Sequence, residues 1–237
     1  MGLSQTWSWN DPAWSISVEL FASLAAFPFI LRCKSNATLM AIACVGYGMV
    51  TARHHHLMAA SDLHIMFFSS GLIKCVAGMS VGVMIKNLVS ETTGSRVPDA
   101  KQSALQIAVL GMVSYFLFTT NDVKSYDLLA LTGIAYIIYS SCVYDNFFAR
   151  FVSSKVMVYL GKISFSIYLV HEPIMVLLGC SSTYSALGFA AKTTVFVSIL
   201  AATSIATYSF VEMPSYSFLK RLIDRGVISK QSSAAGA

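Results

Sequence analysis

The chain has 237 residues, 56% of them hydrophobic and only 11% charged, with a mean hydropathy of +0.66 and a formal net charge of +5. A soluble domain carries about 25% charged residues, so a soluble globular protein is excluded, and the basic excess calls for no nucleic-acid partner because membrane loops collect Lys and Arg. The five cysteines, at 33, 44, 75, 142 and 180, show no CxxC spacing and read as small hydrophobes rather than a disulfide frame or a zinc site.

The chain opens on a polar, aromatic stretch, in which Trp7, Trp9 and then Trp14 suit the headgroup level of a bilayer. No basic segment followed by an apolar one marks a cleavable leader. Seven apolar runs follow, at 12–31, 37–53, 64–88, 103–120, 127–148, 162–180 and 189–211. Each is about the 17–25 residues that a membrane-crossing helix needs. The predicted fold class is therefore an all-α, polytopic transmembrane helix bundle of about seven spans. Connections are short except 87–101, which is charged and contains Gly94 and Pro98. Residues 1–222 are expected to form the membrane domain and 223–237 a disordered cytoplasmic tail.

Counted by side, twelve of the 16 Lys and Arg lie at or beyond the exits of odd-numbered runs and three on the other side, while Lys74 lies deep inside the third run. Basic loops stay in the cytoplasm. The N-terminus is thus expected outside and the C-terminus inside. A chain that starts outside without a leader is expected to lack spans that precede it.

Ionisable groups inside apolar runs carry the chemistry, since each costs at least about 2.5–3.5 kcal/mol at the bilayer centre. In the first run, Trp14, Ser15 and Glu19 share a face at helical spacing. Glu19 there either accepts from a histidine, a cationic group or a sugar hydroxyl, or forms a structural ion pair with a base such as Lys74. Lys74, in the third run, is a charge partner, a phosphate contact or a snorkelling side chain. Gly78 and Gly82 have GxxxG spacing and read as a helix-packing face. Arg53, His54, His55, His56 and His64 read as a solvated loop, because consecutive histidines cannot all point at one metal ion. Asp145 and Glu212 are expected to pair with bases at the surface. In the sixth run, Ser164, Tyr168, His171 and Met175 share a face, and Pro173 invites a kink beside the histidine. The bland alternative for His171 is a packing helix whose polar atoms bond to neighbours.

Taken together and in order, three stretches resemble the acyltransferase 3 family of membrane O-acyltransferases. They are NDPAWSISVELFASLAAFPFI at 10–30, LIKCVAGMSVGVMIKNL at 72–88, and LGKISFSIYLVHEPIM at 160–175 with SFVEMPSYSFLKRL at 209–222. The resemblance implies a bundle of about ten spans in a bacterial inner membrane. It implies acyl-CoA, most simply acetyl-CoA, as cytoplasmic donor, a hydroxyl of a sugar or envelope glycan as acceptor, and no metal. It points to Glu19 and His171 as catalytic, and to Trp14, Ser15, Lys74 and Tyr168 as substrate-binding. The family's presumed catalytic Arg/Lys-x10-His helix does not precede Trp14. Arg53 and His64 share that spacing, but in a polar context that reads as coincidence. A chain complete as it stands is thus expected to be an impaired transferase, or to need a second chain that supplies the missing spans. Two other classes remain: a transporter with an intramembrane Glu-Lys-His relay, although no internal repeat supports it, and an inactive membrane remnant.

Overall fold

A segment in lipid must satisfy its own backbone N–H and C=O groups, so apolar runs become helices. The computed structural model describes residues 13–54, 64–65, 68–92, 97–119, 126–221 and 224. Trp7, Trp9, His55, His56 and, apart from Asp224, the expected tail at 223–237 lie outside the described residues. The chain divides into two compact units, one through Ala13–Met157 and one from Val158 on.

The first unit starts with α1 (Ala13–Ala25) and α2 (Phe27–Arg32). The single span expected over 12–31 is thus two pieces. Pro28 is the cause: it has no N–H to give and its ring crowds the carbonyl four residues back, so it opens a new helix at its first turn. A short turn leads into α3 (Asn36–His54), where Ser35 accepts from the Thr38 N–H at 3.2 Å as a cap. Before the next helix, β1 (His64–Ile65) pairs antiparallel with β2 (Phe68–Ser69), so the third run turns helical only at α4 (Ser70–Glu91). Asn87 of α4 clamps the α2–α3 turn, donating to the Cys33 carbonyl at 3.3 Å and to Asn36 Oδ1 at 3.2 Å.

α3 and α4 pack through Gly46, where a Cβ would stand 2.9 Å from that of Ala77. Ala43, Tyr47 and Ala77 form one buried cluster and Ile30, Leu39 and Val83 another. The expected glycine pair therefore splits. Gly78 leaves room for the Tyr47 hydroxyl, 3.3 Å from where a Cβ would stand, while Gly82 has nothing within 4 Å.

α5 (Ala100–Thr119) and α6 (Tyr126–Val143) form a second close pair. Here a Cβ at Gly133 would meet Val113 Cγ2 at 2.7 Å and Val109 Cγ1 at 3.2 Å. Gly133→Ala is expected to push the helices apart and cost about 1–3 kcal/mol, read as a lower thermal midpoint in detergent; an unchanged midpoint would show that the pair has slack. A polar ladder crosses the same seam, with Tyr136 donating to Gln102 Oε1 at 2.7 Å and Gln106 Nε2 to Ser140 Oγ at 2.9 Å. α6 stops at Val143, short of the 148 expected. There β4 (Tyr144–Asp145) pairs in parallel with β3 (Val97–Pro98), and Asn146 caps α7 (Phe147–Val152).

The second unit is built on α8 (Lys155–Gly179), α9 (Ser182–Ser185) and α10 (Phe189–Thr207). α8 is continuous through Pro173. α10 runs on through a π-turn at Tyr208–Glu212 into a helix that ends at Arg221. Pro214 explains the π-turn. An ordinary helix would press its ring on the Phe210 carbonyl. The widened turn relieves this, and the Met213 N–H reaches back five residues to the Tyr208 carbonyl.

Among the described residues, four helices are long and apolar enough to cross a membrane: α4, α6, α8 and Phe189–Arg221. α1 is apolar but cut short by the break before Pro28. α3 and α5 are diluted by their polar residues, among them Asn36 and Arg53 in one and Lys101, Gln102 and Gln106 in the other. The surface is that of a membrane protein, with Phe118 90%, Phe189 87% and Phe210 81% exposed. Water would penalise such a surface, whereas lipid does not.

Candidate functional site

Polar groups in the first unit gather where α4 meets α1 on one side and α6 on the other. The half-buried Trp14 lays its indole on Gly71, in the first turn of α4, where a Cβ would come within 2.7 Å of the ring. Only glycine at 71 admits the ring in this position. Ser15 is half-buried beside it, and Glu19 is exposed one turn further along α1.

Lys74 is half-buried, and the carboxylate that acts on it is Asp127, in the first turn of α6. Of the two alternatives for Glu19, an acceptor role or an ion pair with a base such as Lys74, the second is not found among the ion pairs of the described residues. Asp127 was not legible as a partner, because an acid in the first turn of a helix looks like an ordinary complement to the helix dipole. A double-mutant cycle over Lys74→Met and Asp127→Asn is expected to give a coupling energy of about 0.5–3 kcal/mol in thermal or denaturant unfolding; strict additivity would dissociate the two charges.

In the second unit, His171 and Tyr168 lie on the more exposed side of α8, whose buried positions are Ile163, Ser166 and Ile174. Their rings stand 5.7 Å apart, tilted by 37°. His171 Nδ1 lies 2.7 Å from the Tyr168 carbonyl oxygen. A carbonyl can only accept, so Nδ1 carries the proton. In the neutral ring the lone pair is then on Nε2. Ser164, on the same stripe, gives its hydroxyl to the Gly161 carbonyl at 2.8 Å.

Glu172 has one carboxylate oxygen shielded and without a hydrogen-bond partner among the described residues. Glu212, expected beside a base, instead accepts from Ser166 Oγ at 2.8 Å, across from α8 to the π-turn. The π-turn aims this carboxylate inward, which the apparent helical register hid. Asp145 does pair with a base: Arg150 Nε and Nη2 donate to its two oxygens at 3.0 and 2.9 Å. This bidentate contact holds the exposed guanidinium even more firmly protonated than usual.

An apolar cleft of 610 Å³ also lies between α1–α2, α3 and α4, lined by residues such as Phe21, Ala22, Ile42, Met49 and Leu72. It offers contact to hydrocarbon and no reacting group. Among the described residues no group of three or more His, Cys, Asp or Glu could hold a metal ion. Arg53 ends up in the last turn of α3 and His64 in β1, while all five cysteines are free.

The motif order and the polar groups within these helices have a counterpart in one known family, whose model, described as an acyltransferase domain, matches residues 1–211. The chain belongs to the acyltransferase 3 family. No curated protein and no solved structure was found to match it. The family assignment makes it a membrane acyltransferase, for which an acyl donor is a substrate. Among the residues singled out, Trp14, Ser15, Glu19 and Lys74 belong to the first unit of the acyltransferase, and Tyr168 and His171 to the second.

Proposed function

We propose that this acyltransferase moves an acetyl group from acyl-CoA to a hydroxyl of a sugar or envelope glycan at a bacterial inner membrane, with its N-terminus outside and its C-terminus in the cytoplasm. The observation that carries the reading is His171. Its Nδ1–H is committed to the Tyr168 carbonyl, which leaves Nε2 on an accessible face as a base. A backbone carbonyl here fixes the tautomer as a carboxylate does in a hydrolase triad.

A sugar hydroxyl is a weak nucleophile. As its oxygen attacks the thioester carbon, Nε2 takes the hydroxyl proton. The tetrahedral adduct then collapses, the C–S bond breaks, and the imidazolium returns the proton to the departing thiolate. The Tyr168 phenol donates to the oxyanion of the adduct. Glu19 accepts from acceptor hydroxyls, Trp14 and Ser15 position the sugar ring, and Lys74 holds an anionic group of the substrate. In the proposed orientation α1, α4 and α6 enter from outside and α8 leaves there. Lys74 and Asp127 then lie near the outer ends of α4 and α6, on the side where an envelope acceptor arrives.

The reading is tested by reconstituting the protein in liposomes with radiolabelled acetyl-CoA and a hydroxyl-bearing glycan. Label that appears on the glycan and leaves it on mild alkali is the expected ester. Label that resists alkali would mark an amide and overturn O-acyl transfer, and no transfer at all from a protein that remains folded would overturn the enzyme reading.

A further inference from the structure

The apolar cleft of the first unit serves no step of acyl transfer. α1 and α3 each pack on α4 rather than closely on each other, and the cleft is the groove left between them. Small residues keep it open, Ala22, Ala25 and Ala26 on one wall and Ala41 and Gly46 on the other. Along α3 it is lined by Thr38, Ala41, Ile42, Val45, Gly46 and Met49, the three- and four-residue steps of a single helix face. Thr38 and Met49 stand about 16 Å apart at the helical rise, about half the thickness of a hydrocarbon core. The groove thus has the length of one lipid leaflet, and Val45 on its rim is 60% exposed.

One end of the groove is basic. Thr38, the lining residue at that end, donates its N–H and its hydroxyl to Ser35 Oγ at 3.2 and 3.0 Å, and Ser35 follows Lys34. Arg32 lies in the last turn of α2, just before. Asn87 of α4 donates to Cys33 and Asn36 of the same turn, which brings the preceding Lys86 to this level. All three cations are exposed, and among the described residues none of them forms an ion pair. Glu91, the next acid along α4, is turned about 140° away from Lys86.

We propose that this groove binds one anionic phospholipid, with an acyl chain along α3 and the phosphate at Arg32, Lys34 and Lys86. The walls are apolar but for Thr38, whose hydroxyl is already given to Ser35, so they complement hydrocarbon. A void there would forfeit the contacts that a chain supplies. Three such cations at the mouth call for a phosphate, as in basic pockets between other membrane helices. A second copy of this chain, inserted in the same direction, would bring its own cations to the same membrane face and be repelled. The site stands whether or not the chain transfers acyl groups, and in either orientation across the bilayer.

Native mass spectrometry of the intact protein, released from nanodiscs of phosphatidylglycerol and phosphatidylcholine with identical chains, tests the site. Each cation near an anionic lipid is worth roughly fivefold in binding. One phosphatidylglycerol is therefore expected to stay bound with a preference of about tenfold or more over phosphatidylcholine, and Arg32→Gln combined with Lys34→Gln to lower that preference about tenfold. Ala41→Phe, at an exposed position of α3, fills the groove without touching the cations and is expected to cut retention several-fold. Should that variant fail to fold, Val45→Trp serves in its place. Equal retention of the two lipids, or an unchanged preference in the double variant, would overturn the site. So would full retention in the groove-filled variant, which would put the chain elsewhere, or a dimer in place of the lipid adduct, which would give the groove to a second copy.

Discussion

Replacing His171 by glutamine is expected to lower the rate of acyl transfer by about 10²–10⁴-fold, the usual contribution of a positioned general base, while the protein reaches the membrane in normal amount. The expectation follows from the proton on Nδ1. The bond to the Tyr168 carbonyl leaves the other ring nitrogen, Nε2, with the lone pair, on a partly exposed side of α8. Glutamine fills a comparable volume and keeps polar contacts, but no atom of it accepts a proton near neutral pH. Tyr168→Phe separates the two roles of its neighbour. It removes the phenol but keeps the backbone carbonyl, so the tautomer stays fixed and only a part of the rate is lost. Initial rates with labelled donor, normalised to membrane-inserted protein, decide the matter. A wild-type rate for His171→Gln would return this histidine to a packing role.

Glu19→Gln is expected to reduce transfer by about 10–100-fold, the rate equivalent of a hydrogen bond to a charged group. The amide keeps an acceptor oxygen and the shape of the side chain, but loses the charge that strengthens bonds from acceptor hydroxyls. Glu19 is exposed on α1, so the substitution leaves the helix packing in place. The loss should appear mainly in the response to acceptor concentration rather than to donor. Near-normal acylation would remove Glu19 from the mechanism.

The helices were legible because an apolar run in lipid has one stable backbone solution. Their interruptions were partly so. Pro28 and Pro214 are visible in the sequence, but whether a proline splits a helix, widens it or is absorbed depends on its surroundings. The chain shows all three outcomes, at Pro28, Pro214 and Pro173 respectively. Partners across helices were the least legible. Periodicity put Glu19 and Lys74 on plausible faces, but not the packing of α4 against both α1 and α6, which adds Asp127 to the surroundings of Lys74. Ser166 and Glu212 stand 46 positions apart, and nothing local in either stretch announces their bond. The tautomer of His171 is likewise a matter of distance to one carbonyl, and the sequence holds no distances.

The π-turn ahead of Pro214 has an effect on everything after it. One extra residue wound into a helix rotates all that follows by about 100° relative to an unbroken α-helix. Tyr216, Phe218, Lys220 and Arg221 therefore point where they do only because that turn is wide. Deleting a single amino acid from 208–211 would let an ordinary helical turn close in its place and leave the basic end facing as before, whereas aligning this segment without a gap to a straight-helix relative would assign every later side chain to the wrong direction.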